Sequence, residues 1–244
     1  VLLTAVIRYA LTQVGARSVT QIWRDEHLNP IVGLASSNLN PDIVQSELVV
    51  ATETFVGLFA YEHDAWTITE LLGYQYDDRY RGVAVGEIDP LGLRDEVVVV
   101  TYGGRVIVLK HSSGNWSSAI IYESWEGKFF RVAIGDIDEE HVGNEIIVVG
   151  ELRGAPDYKE LGIVVLLSPL ENAVWNVTKI EMDEPVISVS IGDFDQQHSG
   201  KECVVTGIFG TVTEIAYLGS NQWFTEQIWK SEDYYPKAAT GDLY

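Results

Sequence analysis

Four stretches of this chain align with one another without gaps, and no other feature limits the fold so tightly. They are SNLNPDIVQSELVV from Ser37, GEIDPLGLRDEVVV from Gly86, GDIDEEHVGNEIIV from Gly135 and GDFDQQHSGKECVV from Gly192, with a truncated fifth copy, GDLY, from Gly241. The first acidic or amide position falls at Asn38, Glu87, Asp136, Asp193 and Asp242, at spacings of 49, 49, 57 and 49 residues. In each complete copy a glutamate follows nine positions later, at Glu47, Glu96, Glu145 and Glu202. The chain is therefore an array of units of about fifty residues.

Each unit reads as strands. Between Gly86 and Gly135, RGVAVGEI alternates and stops at a polar loop. EVVVVTYG and RVIVLKHS are β-branched runs joined at Gly103-Gly104, which is hairpin chemistry. A last run, NWSSAIIYES, sets Trp116 five residues before Ile121, and the offset recurs in Trp66/Leu71, Trp175/Ile180 and Trp223/Ile228. Helical spacing of apolar residues is missing throughout. Four short antiparallel strands per unit at this period describe a blade of a β-propeller. The once-per-unit tryptophans are expected between blades.

The ends of the chain set the expected blade count. Residues 1–24 read as the last three strands of a blade, with Ile22-Trp23 equivalent to Ile228-Trp229, and AATGDLY supplies the missing first strand. The expectation is an all-β single domain over 1–244. It is expected to be a five-bladed β-propeller of four-stranded antiparallel blades, closed by pairing the C-terminal strand with N-terminal strands, with a fragment of a larger ring as the alternative. The blades are 238–244 plus 1–30, 31–80, 81–129, 130–185 and 186–237. Closure of this kind removes exposed sheet edges. The eight-residue excess of the third complete unit falls in ELRGAPDYKELG, where a loop absorbs it at little cost.

Charge excludes several classes of partner. With 16 Lys+Arg against 36 Asp+Glu, the formal charge is −20 and the pI is near 4.4. Clustered cations are what hold phosphates, so nucleic acid is not an expected partner. Docking on an anionic bilayer is disfavoured by the same sign, and no apolar run reaches the length of a membrane span. A lone cysteine, Cys203, permits no intrachain disulfide. The two triplets Asn115-Trp-Ser117 and Asn176-Val-Thr178 are compatible with secretion.

The acidic balance leaves room for a hard cation in the loop after each first strand. Asp136, Asp138 and Glu145 occupy loop positions one, three and ten, as do Asp193, Asp195 and Glu202; a glycine (Gly143, Gly200) lets each loop curl. The Glu87 loop offers Glu87, Asp89, Asp95 and Glu96, and the first offers Asn38, Asn40, Asp42 and Glu47. Calcium takes six to eight oxygens from such carboxylates and carbonyls. The plainer reading is that the aspartates cap turns and the late glutamates solvate the next strand. His141 and His198 share a loop position but lie in different blades, so they read as turn residues.

At these residues the chain resembles the FG-GAP/VCBS repeat family of integrin-α-like propellers, whose loop is D-x-D-x-D-G-x-x-D. Its own variant, D-x-D-x-x-x-x-G-x-E, is similar to loops in rhamnogalacturonan lyase propellers. The resemblance implies calcium as a cofactor and an extracellular or cell-surface setting. It departs from the family at the fifth loop position, which is Leu91, Glu140 or Gln197.

In such a blade the first loop lies on one face of the ring. The strand-four-to-one connections and the two–three hairpins lie on the other. That second face collects YQYDDRYRG, YESWEGKFF and SEDYYPK, and nominates Tyr76, Tyr80, Trp125, Phe129, Tyr234 and Tyr235 for contact with a protein or glycan. Packing between blades is the competing role for each of them. Catalysis finds little support, because the acids recur with the repeat and the innermost strands are apolar or small. Asp77, Asp78 and Arg79 are the only asymmetric suspects. The expected function is a non-enzymatic recognition or scaffold propeller, partly calcium-stabilised, standing alone or as a module of a larger assembly. A polysaccharide-active lyase or glycosidase and an intracellular assembly scaffold remain as alternatives.

Overall fold

The computed structural model of the 244-residue chain describes residues 21–23, 29–39, 46–74, 78–89, 94–138, 140–154, 160–170, 174–194, 200–220 and 222–231. Sixteen strands among them form four sheets of four, each antiparallel and in chain order. The first sheet contains β1 (Ile31–Ser37), β2 (Glu47–Thr52), β3 (Val56–Glu62) and β4 (Ala65–Leu72). The second contains β5 (Tyr80–Gly86), β6 (Glu96–Thr101), β7 (Arg105–Ser112) and β8 (Asn115–Glu123). The third runs β9 (Gly127–Gly135), β10 (Glu145–Leu152), β11 (Gly162–Pro169) and β12 (Trp175–Met182). The fourth runs β13 (Val186–Gly192), β14 (Glu202–Gly207), β15 (Thr211–Gly219) and β16 (Gln222–Lys230).

Sheets pack face to face, and the first strand of each touches the first strand of the next, β1 to β5, β5 to β9 and β9 to β13. This is the blade arrangement of a β-propeller. The two middle strands of a blade are covered on both faces, which is why they read as unbroken β-branched runs; every residue of β6 and β14 is buried. Along β6 the side chains alternate between two cores. Val97 and Val99 meet Val49, Leu58 and Leu109 between the first and second sheets. Val98 and Val100 meet Ile146, Val148 and Val165 between the second and third. A third core joins Ile147 and Leu166 to Cys203, Val205 and Ile215. Each such side chain contributes about 1.5–3 kcal/mol on burial. Trp116, Trp175 and Trp223 pack against these three cores, the place the repeat assigns them.

Every blade carries a register shift near the start of its first strand, between Ile31 and Gly33, Tyr80 and Gly82, Phe129 and Arg131, and Val186 and Ser188. The extra residue is Val32, Arg81, Phe130 or Ile187, and such a bulge turns one side chain out of the alternation. Two first strands start earlier than the blade bounds expected from sequence. β5 begins one residue, and β9 three residues, before the blade starts read from sequence at 81 and 130.

The strands expected to complete a fifth blade, within 1–30 and 238–244, lie outside the described residues apart from 21–23, 29 and 30. Trp23 is described, and it stacks on Phe55 at 5.5 Å and meets Phe59 edge-on at 5.4 Å. Phe59 points away from Leu58, which faces the second sheet, so Trp23 covers the outer face of the first blade.

The β6–β7 hairpin depends on Gly104, whose φ is +90° and whose added Cβ would lie 2.1 Å from the Ser124 carbonyl oxygen. Gly114 has a similar φ of +82° but open space around it. Gly104→Ala is therefore expected to lower stability by about 3 kcal/mol or more, and Gly114→Ala by about 1–2 kcal/mol, in urea denaturation. Equal losses would refute the clash.

Candidate functional site

The first-loop face is built around the late glutamates. Leu39, Ile88, Ile137 and Phe194 each donate a backbone N–H to the glutamate eight residues on, at 2.8, 3.0, 2.9 and 3.0 Å to Glu47, Glu96, Glu145 and Glu202. All four carboxylates are buried. Each one ties the end of strand one to the start of strand two and closes the loop, as a charge-accepting hydrogen bond does well. Other contacts lace neighbouring loops: Ser37 donates to Asp95, Asn144 to the Glu87 carbonyl, and Tyr217 to Glu140 at 2.7 Å.

The carboxylates proposed as cation ligands have internal partners. Asp89 and Glu96 both face the Lys110 ammonium, at 3.0 and 3.5 Å. Asp138 accepts from the Glu140 N–H at 3.1 Å and bonds His141 Nδ1 at 2.6 Å. Glu145 Oε2 takes the amides of Ile137 and Asp138. Glu87, Asp136 and Asp193 are exposed, and Asp195 lies outside the described residues. Among the described residues no three carboxylate, histidine or cysteine side chains converge as a cation site. Glu145 Oε1 is buried without a hydrogen-bond partner among the described residues. Burial first, then the charges of Asp138 and Asp136, push this carboxyl up to about 7 against the pull of its two amides.

The opposite face carries the aromatic residues, redistributed from the sequence reading. Tyr80 and Phe129, nominated for partner contact, are fully buried, a correction forced by the inward alternation of β5 and β9. Tyr80 donates its hydroxyl to the Gly73 carbonyl at 2.7 Å, and burial followed by Asp78 and Glu70 raises its pKa to about 12. Phe129 stacks on Tyr122 at 6.0 Å. Trp125 is 78% exposed, as a contact residue should be. Tyr76, Tyr234 and Tyr235 lie outside the described residues. Asp78, a catalytic suspect, is buried and accepts from Gly103 N–H at 2.5 Å, so it caps a hairpin.

The sequence reading missed the centre of this face. Tyr102 occupies the β6–β7 turn, held by its N–H to the Arg79 carbonyl at 2.8 Å. The Arg81 guanidinium lies 5.0 Å, and the Lys128 ammonium 5.6 Å, from the centre of its ring. Phe130 is 6.4 Å away. Arg81 and Phe130 are both bulge residues, and the bulges turn them toward Tyr102. Glu53 holds Arg81 at 2.8 Å and Arg79 at 3.3 Å, and Glu151 holds Lys128 at 2.8 Å. Arg153 donates to the Tyr102 carbonyl at 2.6 Å, while its own N–H meets the Glu126 carbonyl beside Trp125. Phe209, at the corresponding turn of the fourth blade, is exposed too. An aromatic immediately before Gly-Gly was the available signal for Tyr102; the bulged Arg81 had none, because a bulge has no sequence signature here.

No family model matches the chain, and no curated protein matches it by sequence. Two similar solved structures are of BBS1N in complex with ARL6DN, one soaked with lead and one with mercury. They share 14% and 16% identity over 75% and 76% of this chain, with TM-scores of 0.39 and 0.38. The matched part is 65% and 66% of their length. Likeness this slight carries no argument about function, and the architecture rests on the four sheets.

The Glu145 carboxyl gives a signed pH effect. Its folded pKa of about 7 exceeds the ordinary 4.5, so between those values the folded chain holds a proton that the unfolded chain has released. Stability from this group is full below 4.5 and declines as pH rises through 7, by at most about 1.4 kcal/mol per pH unit. Glu145→Gln keeps an acceptor for the two amides and is expected to flatten this slope while retaining the fold. Denaturation at pH 5, 6, 7 and 8 checks it, and parallel slopes for both proteins would sink the assignment.

Proposed function

We propose that the chain is a non-enzymatic recognition or scaffold propeller, closed as a five-bladed ring, which binds a protein partner through the face bearing Tyr102 and Trp125. One observation carries the reading. Trp125 (78% exposed), Tyr74 (63%), Phe209 (46%) and Tyr102 (37%) all occupy turns of that face, beside a network of hydrogen-bonded charges. Large aromatics rimmed by polar groups are what protein contacts are made of. Protein is favoured over glycan because Arg81 and Lys128 already crowd the Tyr102 ring on which a sugar would stack. A photo-crosslinking amino acid at position 125 is expected to capture a partner saturably in cells of the source organism. At position 142, exposed on the opposite face, capture should be absent. Equal crosslinking at both positions would remove the face assignment.

Calcium at Asp136, Asp138 and Glu145 is the second reading. It is favoured by Glu145 Oε1, buried and unpartnered among the described residues, and by the burial and neighbouring acids that raise that carboxyl. A hard cation would answer both. Added calcium is then expected to raise the melting temperature and EGTA to lower it. An unchanged melting temperature under both conditions removes the ion.

A further inference from the structure

Although the chain carries a charge of −20, six of its 16 basic residues gather about Tyr102: Arg79, Arg81, Arg105, Lys128, Arg131 and Arg153. Among the described residues the carboxylates paired with this group are Glu53, Asp78, Glu123 and Glu151, while Glu126 on the Trp125 turn pairs with Lys179 at 3.8 Å. Two guanidinium groups of the cluster face carbonyls instead. Arg131 donates only to the carbonyls of Arg81 and Phe130, at 2.9 and 2.7 Å, and Arg153 to that of Tyr102. Neither has a carboxylate within ion-pair distance among the described residues. Burial first, and then the Arg81 charge, depresses the Arg131 pKa, as expected of a cation lacking an anion.

The cluster is contiguous with the exposed indole. The Ser124 N–H donates to the Gly104 carbonyl at 2.9 Å and the Arg153 N–H to that of Glu126 at 2.6 Å, so the turn bearing Trp125 is fastened between two cationic segments. We propose that this surface docks an acidic segment of a protein partner, with carboxylates meeting Arg153, Arg131 and Arg81 and an apolar side chain lying on Trp125. This rests on the reading of the face as a protein-binding surface and adds the partner's chemistry. Arg forks bind carboxylates in pairs. A local field also survives in an acidic molecule because screening confines it to about 8–10 Å at physiological salt. A short segment with a few carboxylates feels the cluster, whereas a long polyanion also meets the surrounding acid.

Fluorescence anisotropy on the full chain tests this with a labelled peptide of Asp and Glu flanking one Phe. The controls are its Lys counterpart, single-stranded DNA and vesicles containing phosphatidylserine. Saturable binding of the acidic peptide is expected, weakened about tenfold by Arg153→Gln and again by Lys128→Gln, and lost in about 0.5 M salt. Arg153 is exposed and Lys128 partly so, and circular dichroism confirms the fold of each variant. Val142→Gln should bind unchanged. Absence of saturable binding, indifference to Arg153→Gln, or equal or better binding to the DNA or the vesicles would overturn the proposal, as would light scattering showing that a second copy takes the surface. If crosslinking at position 125 persists while the charge variants have no effect, the contact face stands and its acidic partner does not.

Discussion

Face-to-face burial of the middle strands is the constraint on which the other features depend. A four-stranded sheet with both faces apolar is not stable alone in water, and the second and third sheets here are each covered by a neighbour on either side. Val97 and Val99 lie in one core, Val98 and Val100 in the next, so a single strand holds three sheets in register. A one-residue slip would exchange the two sets and disturb both interfaces at once. The same logic explains why Trp23 reaches back to Phe55 and Phe59, since the outer face of the first blade also needs cover.

Such tight packing forces polar chemistry to the two ends of the blades, where it takes different forms. On one face buried glutamates close the loops by accepting amides eight residues upstream. Acids crowd the second and third loops, where Lys110 pairs with Glu96 in the second blade, and burial with the nearby Asp138 and Asp136 raises the Glu145 carboxyl in the third. The recurrence of this hydrogen bond in all four described blades makes it a scaffold device.

On the other face the symmetry is broken. The bulge at the start of the first strand occurs in every described blade, but only in the second and third does it turn out Arg81 and Phe130, with Tyr102 between them. Repeats supply the frame, and departures from the repeat supply the surface that can discriminate a partner. A basic and aromatic cluster on an acidic molecule also gives a direction to encounter, because like-charged faces repel and this one does not.

Much of the architecture was legible in the repeat: strand number per blade, the order of strands, the inward tryptophans and the glutamate nine positions after the loop's first acid. These follow from local pattern, since alternation and β-branched runs reflect burial directly. The buried roles of Tyr80 and Phe129 were not legible, because an aromatic near a strand end has the same sequence whether it faces a core or water. Nor was the meeting of Arg81, Tyr102, Lys128 and Arg153, which come from two strands and two turns as much as 72 residues apart. Sequence alone determined that the chain would build four-stranded antiparallel sheets, one per repeat among the described residues. Only the tertiary structure decided which charges face one another, since that depends on bulges and on the approach of one sheet to the next, and neither distance is written in either strand separately.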